Sequence, residues 1–289
     1  MKLMVKFNLV FVGVFLIGLL VAARISYGLL QANARDEILQ NARIMMQAML
    51  AQRTYTNTQI KPLLDTQMRY TFLPQSVPAY AATEAFNALR TKYPQYAYKE
   101  ATLNPSNPRD RANDWEADLI QQFRQGRAKD EIFGERDTPT GRSLYLARPI
   151  QVTSRGCLPC HSTVDAAPRT MLDRYGDANG FGWQLNEIVG AQVVSVPTDV
   201  PLARADQAFK VFMLSLTGVF LFIFVALNLM LSFIVIRPVT HLAALADQVS
   251  LGNLEVPEFP TGRDEIGGLA AAFGRMHKSL VKAMKMLEE

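Results

Sequence analysis

Two stretches of the chain are almost free of polar side chains. Phe7 to Ala23 (FNLVFVGVFLIGLLVAA) lies between Lys2 and Lys6 on one side and Arg24 on the other. Val211 to Ile236 carries no ionisable side chain over a length that crosses a bilayer with some tilt. The first stretch reads either as a signal peptide, since Val21-Ala22-Ala23 has the small residues of a cleavage site, or as an anchor extended by Ile25 to Leu30. From Leu29 to about Ile60 there is no Pro or Gly and many helix formers, so the first span is expected to continue as a long helix. Ile38, Ala42, Met45, Met49 and Arg53 share one stripe of it, with Met46 and Leu50 alongside, and Pro62 is expected to end or kink it.

The segment that follows mixes two periods. Helical spacing predicts helices over Ala81 to Lys92 and over Asp110 to Gln125, the latter with Trp115, Leu119, Ile120 and Phe123 inward. Alternation predicts strands at Tyr96 to Thr102, Ile132 to Arg136, Ser143 to Val152 and Ile188 to Pro197, with a turn cluster at Asn104 to Pro108. Short strands interleaved with helices and joined by tight turns point to an α+β domain. Beyond the second span, Arg237-Pro238-Val239 opens a helix with an apolar stripe at Val239, Leu242, Leu245, Ala246 and Val249. A connector from Gly252 to Pro260 leads to a second helix, starting near Asp264, that carries Ile266, Leu269, Phe273, Met276 and Leu280. Two short amphipathic helices cannot bury their faces alone, so a four-helix coiled coil in a homodimer is expected.

Charge adds sidedness to this picture. Thirty Lys and Arg against 26 Asp and Glu give a net charge of +4 in 289 residues. No basic block interleaved with aromatics occurs, so no nucleic-acid partner is expected. Lys2 and Lys6 at one end, and Arg237, Arg263, Arg275, Lys278, Lys282 and Lys285 at the other, place both termini in the cytoplasm by the positive-inside rule. The segment between the spans then lies outside, in the periplasm of a bacterial inner membrane.

That outer segment holds the whole cysteine content of the chain, two residues, in Cys157-Leu158-Pro159-Cys160-His161. C-x-x-C-H is the spacing that attaches a c-type haem, with two thiols for thioether bonds and an adjacent histidine for the iron. A redox-active or structural Cys-Leu-Pro-Cys disulfide is the competing reading. An outer, oxidising compartment suits either chemistry. Downstream, Gly176, Gly180 and Gly182 supply turns, and Tyr175, Phe181 and Trp183 read either as pocket walls or as ordinary core. No catalytic triad, phosphate loop or metal-hydrolase motif appears, so an enzyme is not expected.

Two resemblances cover nearly the whole chain. Arg237-Pro238, Gly252-Asn253-Leu254 and Asp264-Glu265-Ile266-Gly267 resemble a HAMP linker, which relays signals from a membrane helix to an output domain. Arg53 to Thr56, Val77 to Tyr80, Leu103 to Pro108, Cys157 to His161, Tyr175-Gly176 and Gly180 to Trp183 resemble the PAS-like c-type haem sensor domains of bacterial chemoreceptors, histidine kinases and cyanobacterial redox sensors. The resemblance implies an antiparallel sheet with flanking helices and a long N-terminal helix that contributes to the haem pocket. The expected organisation is an anchor at 1–30, a periplasmic haem domain at 31–206, a second span at 207–236 and a cytoplasmic HAMP linker at 237–289. The sequence stops at Glu289 without a kinase, cyclase or methyl-accepting region, so the output is expected on a separate polypeptide.

One haem c, bound through Cys157 and Cys160 with His161 on iron, is therefore expected. His161 is the only histidine between the spans, which argues against a second histidine ligand, and no third cysteine exists. Methionine is the remaining soft ligand, and Met45, Met46, Met49, Met68 and Met171 lie in this segment. The resemblance favours Met45, Met46 or Met49 on the N-terminal helix, with Met49 ranked first as the residue nearest Arg53 and Tyr55. An open distal site that takes NO or CO is the alternative. Arg53, Tyr55 and Trp183 are candidates for haem-propionate or distal hydrogen bonds. The function expected is a haem redox or gas sensor acting through the linker on a separate partner. The runner-up is a membrane-tethered monohaem electron carrier of a respiratory or photosynthetic complex.

Overall fold

The computed structural model describes residues 3–288 except 140, 258, 260 and 261. Lys2 and Pro260, used above for sidedness and for the connector, therefore lie outside the described residues. The chain forms two compact units, Tyr27–Phe209 and a second made of Met1–Ser26 with Lys210–Glu289.

In the first of these, four strands form one antiparallel sheet: β1 (Ala97–Thr102), β2 (Ile132–Thr138), β3 (Gly141–Gln151) and β4 (Ile188–Pro197), in the order β1-β4-β3-β2. Helices complete the α+β arrangement. They are α1 (Leu3–Tyr55), α2 (Lys61–Met68), α3 (Pro78–Arg90), α4 (Asp114–Arg124), the short α5 (Leu158–His161) and α6 (Arg169–Tyr175), and then α7 (Asp199–Met230). Because side chains alternate across a strand, the sheet has two distinct faces. Tyr98, Leu144, Leu146, Val194 and Val196 meet Ile38, Ala42 and Met46 of α1 and Ala82 and Phe86 of α3 on one face. Ala147, Ala191 and Val193 meet Leu119, Ile120 and Phe123 of α4 on the other.

The strands lie where alternation predicts them, and Ile188 to Pro197 coincides at both ends. The second predicted helix starts later than expected, at Asp114 and not Asp110. Asn113 accepts a hydrogen bond from the Glu116 amide while the Glu116 carboxylate accepts one from the Asn113 amide, and this reciprocal cap fixes the first turn. Pro62 neither ends nor sharply stops the N-terminal helix. A π-helical turn, Thr56–Ile60, carries the chain into α2, where Pro62 occupies the first turn and its missing N–H costs nothing. The same device recurs after α7, where Leu231–Ile236 is π-helical and α8 (Arg237–Ser250) begins with Pro238 in its first turn.

Two helical stretches, within Met4–Met68 and Asp199–Ser250, are apolar and long enough to cross a membrane. Their rings interlock at Phe11 and Phe224 (centroids 5.5 Å apart) and at Phe15 and Phe220 (4.3 Å). Beyond them, α8 and α9 (Glu265–Glu288) bury Leu242, Leu245, Val249 and Ala270, while Leu269, Met276 and Leu280 of α9 stay exposed. Asp264 caps α9 by accepting a hydrogen bond from the Gly267 amide at 2.7 Å. A Cβ on Gly267 would lie 2.4 Å from the Gly262 backbone, so only glycine fits there. The connector is tied back where the His277 ring donates to the Leu254 carbonyl at 3.0 Å.

One loop group of the sheet unit carries a pH signature. Burial pushes the Asp110 carboxyl up to about 6, which the neighbouring Arg109 only partly offsets. Between the ordinary carboxylate value of about 3.9 and about 6, the unfolded chain has lost a proton that the folded chain keeps. Stability therefore falls as pH rises through that window. Asp110→Asn is expected to flatten the fall, measured as the thermal midpoint between pH 4 and 7.

Candidate haem-binding site

The connection from β3 to β4 carries the cysteines. The Ser154 hydroxyl accepts from the Gly156 amide at 3.1 Å, and the helical turn α5 follows with Pro159 in its first turn. Helical geometry sets residues i, i+3 and i+4 on one face, which is where Cys157, Cys160 and His161 fall. Both cysteines are free thiols and both are partly buried. Burial pushes the Cys160 thiol up, and Cys157 pushes the same way, while Lys61 opposes.

His161 is held from two sides. Its Nδ1 lies 2.7 Å from the Gly180 carbonyl oxygen, and a carbonyl can only accept, so Nδ1 carries the proton. In the neutral ring the lone pair is then on Nε2, the atom free to bind a metal. Burial lowers the imidazole pKa, which favours that neutral form, and the Gly180 bond partly opposes it. The Trp183 indole stacks on the imidazole, with centroids 3.9 Å apart and planes at 12°. Backbone bonds from Gly182 to Ser162 (2.9 Å) and from Trp183 to His161 (3.1 Å) fasten the two segments together.

The glycine at 180 is required twice over. Its φ of +90° is disfavoured for any residue with a side chain, and a Cβ would come within 1.9 Å of the Ser106 hydroxyl oxygen. Ser106 belongs to the Asn104 to Pro108 turn, so that turn is the seat on which the His161 acceptor rests.

The N-terminal helix reaches the same region. Arg53 forms an ion pair with Glu100, a carboxylate buried on the α1 face of the sheet, and its charge also interacts with Cys157. Burial pulls the guanidinium pKa down, and Glu100 more than restores it. The second Glu100 oxygen accepts from the Tyr98 hydroxyl at 2.7 Å, and Gln192 donates to that hydroxyl at 3.1 Å. Further along, Thr170 of α6 donates to the Met68 carbonyl at 3.2 Å and Phe72 meets Tyr175 edge to face. The segment around α2 thus lines up beside the cysteine loop.

The other predicted residues fall in different places. Trp183 is brought to His161, as stacking partner and not as a hydrogen-bond donor. Met46 is fully buried against the sheet among Phe86 and Tyr98, and Met45 and Met49 pack partly buried on the border of that core. Tyr55 is 52% exposed and lies two residues, about 200° of helix, from Arg53. Met171 is buried, and the Met68 sulfur accepts from the Leu73 amide at 3.0 Å. Glu100 was not singled out in the sequence, and Gly180 was read as a turn glycine and not as the His161 acceptor. An acidic residue at an inward strand position is a usable signal for the first. The second acts through its carbonyl, which every residue type possesses.

Residues 31–197 match the Tll0287-like family. The chain belongs to the Tll0287-like family. Residues 230–282 match the HAMP domain family, so a sensor-type unit is followed by a signal-relay linker. Among solved structures, the crystal structure of the cyanobacterial heme-protein Tll0287 is similar, at 14% identity and a TM-score of 0.44, over 56% of this chain and 95% of that one. No curated protein matches this chain. Within this Tll0287-like unit the match ends at Pro197, the last residue of β4, and so takes in the whole sheet and the cysteine loop.

Two substitutions probe the geometry. Gly180→Ala is expected to displace the Ser106 turn and release the His161 ring, read as a shifted His161 imidazole resonance and a lowered melting temperature. Arg53→Ala leaves Glu100 buried without its cation and is expected to cost on the order of 3 kcal/mol of stability. Arg53→Ala with Glu100→Gln should recover most of that loss in chemical denaturation.

Proposed function

We propose that this Tll0287-like protein is a membrane-anchored c-type haem sensor that passes the state of its haem through the HAMP linker to an output partner. The observation that carries the reading is the His161 imidazole, oriented by Gly180 and Trp183 with Nε2 free, one residue after two free thiols at haem-attachment spacing. Tll0287, after which the family is named, is a cyanobacterial heme-protein, in line with this.

The residues present fit such a group. Cys157 and Cys160 offer reduced sulfurs, each able to add across a vinyl group with its proton going to the neighbouring carbon, so that no oxidant is needed. Held covalently, the haem would supply a one-electron couple and an iron able to take protein ligands. His161 would bind that iron through Nε2, with the Gly180 carbonyl raising its basicity. Trp183 covers one face of the imidazole and keeps it from rotating. Arg53, whose charge is felt at Cys157, is the cation we assign to a propionate, and its partner Glu100 limits how far its charge is available. Met49 on α1 is the sixth ligand we favour, with Met45 and Met46 next to it, and Met46 would have to leave the core to serve.

Transmission is local in origin. A change of charge or ligation at the haem acts on α1, which is one continuous helix from the apolar span through Met49 and Arg53. The exposed apolar positions Leu269, Met276 and Leu280 of α9 fit a second copy of the chain, so we place the responding coiled coil in a homodimer. The sensor unit lies in the periplasm of a bacterial inner membrane in this reading, with the linker in the cytoplasm.

A pyridine haemochrome spectrum of the purified full chain decides the first step. A c-type signal that survives acid extraction, and is lost in Cys157→Ala with Cys160→Ala, is expected; haem that extracts freely, or none, defeats the proposal. Met49→Ala is expected to abolish a thioether-to-iron band in the ferric spectrum. Bis-maleimide cross-linking of Leu269→Cys should then differ between air-oxidised and ascorbate-reduced membranes. Equal yields, together with fast electron exchange with a soluble cytochrome, would make it an electron carrier.

A further inference from the structure

The sheet face opposite α1 holds a cavity of about 440 Å³, between the first turn of α4, the start of β1 and the β2–β3 hairpin. That volume is in the range of small-molecule sites. We infer that it binds a small organic monocarboxylate, anchored by the Arg136 guanidinium where it lies over the Trp115 indole. This site is separate from the cysteine loop and from the haem reading.

Two groups in the wall lack what their chemistry asks for. The Trp115 Nε1 is buried and has no hydrogen-bond partner among the described residues. That N–H is closed to a guest, so the indole serves as the surface on which Arg136 lies. Arg136 lies with its guanidinium carbon 3.9 Å from the centroid of the same indole, and no carboxylate pairs with it among the described residues. Stacking orients the planar guanidinium without using its N–H donors, which leaves the fork free for a carboxylate.

The rest of the wall sets the charge and size of the guest. Lys99 is neutralised by Glu116 at 2.7 Å, and Arg109 by Glu84 and Asp110. Arg90 is exposed at the rim. Arg136 is thus the one cation of the inner wall that no carboxylate offsets among the described residues, and it matches a single negative charge better than a phosphate dianion. Ser143 and Ser195, facing the cavity from β3 and β4, make no side-chain hydrogen bond among the described residues and add two hydroxyls. Val193 and Ala97 give the floor an apolar portion for a short uncharged body.

Isothermal titration of the full chain in detergent with acetate, propionate, benzoate and succinate, each against its amide, tests the assignment. At least one acid is expected to saturate at one per chain, with its amide silent. Arg136→Gln should weaken that acid at least tenfold, Ser195→Val should weaken it less, and both should leave the visible spectrum unchanged. Trp115→Phe should remove the fluorescence change that accompanies binding. The inference is overturned if no acid saturates at tens of millimolar, if acid and amide bind alike, or if inorganic phosphate alone binds. Wild-type affinity in both Arg136→Gln and Ser195→Val overturns it as well. A variant that melts well below wild type is replaced by Arg136→Lys, which keeps the charge but loses the fork and is expected to bind more weakly than wild type.

Discussion

The hydrogen bond from the His161 ring to the Gly180 carbonyl joins three pieces of chain that have no sequence proximity. His161 closes the short helix α5, Gly180 follows α6, and Ser106 lies in the turn between β1 and α4. Each constrains the next: the imidazole needs a fixed acceptor, the acceptor needs a backbone at φ +90°, and the closeness of Ser106 leaves no room for a Cβ on that residue. A carbonyl as partner also fixes which nitrogen carries the proton, without placing any second charge beside the ring. A carboxylate in the same position would do the first but would also favour the imidazolium, which cannot bind a metal. Burial and a neutral acceptor together give a histidine that is oriented and uncharged.

The second organising constraint is the unpaired charge that burial of Glu100 would create. A carboxylate on the inner face of a sheet is tolerated only if cations and donors meet both its oxygens. Arg53 and Tyr98 do so, and Gln192 in turn satisfies the tyrosine. Because Arg53 sits on α1, the cost of an uncompensated Glu100 fixes the register of that helix on the sheet. Hydrophobic packing by Ile38, Ala42 and Met46 is less discriminating, since apolar contacts tolerate a slide that an ion pair does not. The π-helical turn just beyond Arg53 then absorbs the extra residue that Pro62 demands, so the register set at Arg53 is kept while the helix continues.

Much of this was legible in the residues, and what was not has identifiable causes. Strand alternation located all four strands: β1, β3 and β4 each turn buried side chains to a core, while the edge strand β2 touches one only through the half-buried Ile132. The start of α4 was misplaced by four residues, since acidic Asp110 and Asp114 both suit a first turn and only the Asn113 and Glu116 pair distinguishes them. Pro62 was read as an end or a kink because sequence shows the missing N–H but not the π-helical turn that carries the chain into α2. The spacing of Cys157, Cys160 and His161 marked the candidate site, while the support of His161 remained hidden, because Gly180 contributes a backbone atom and Ser106 a packing surface. Arg53 was singled out by resemblance, and Glu100 shows why an arginine is needed there.

The two faces of the sheet differ in what they leave unfinished. On the α1 face the polar groups are closed on one another, from Arg53 through Glu100 and Tyr98 to Gln192, and the open valence is the His161 Nε2 beyond the sheet edge. On the α4 face the apolar core is complete around Leu119, Ile120 and Phe123, yet Trp115 at the start of the helix keeps a buried donor without an acceptor. The reciprocal cap explains the position of that tryptophan: Asn113 and Glu116 fix the first turn, and the indole of residue 115 packs on Tyr145 of β3 with Arg136 of β2 over it. Glu116 cannot turn toward Arg136 because it is already committed to the Asn113 amide and to Lys99. With Glu116 held by the cap and by Lys99, its charge is spent there, and Arg136 has no carboxylate partner among the described residues.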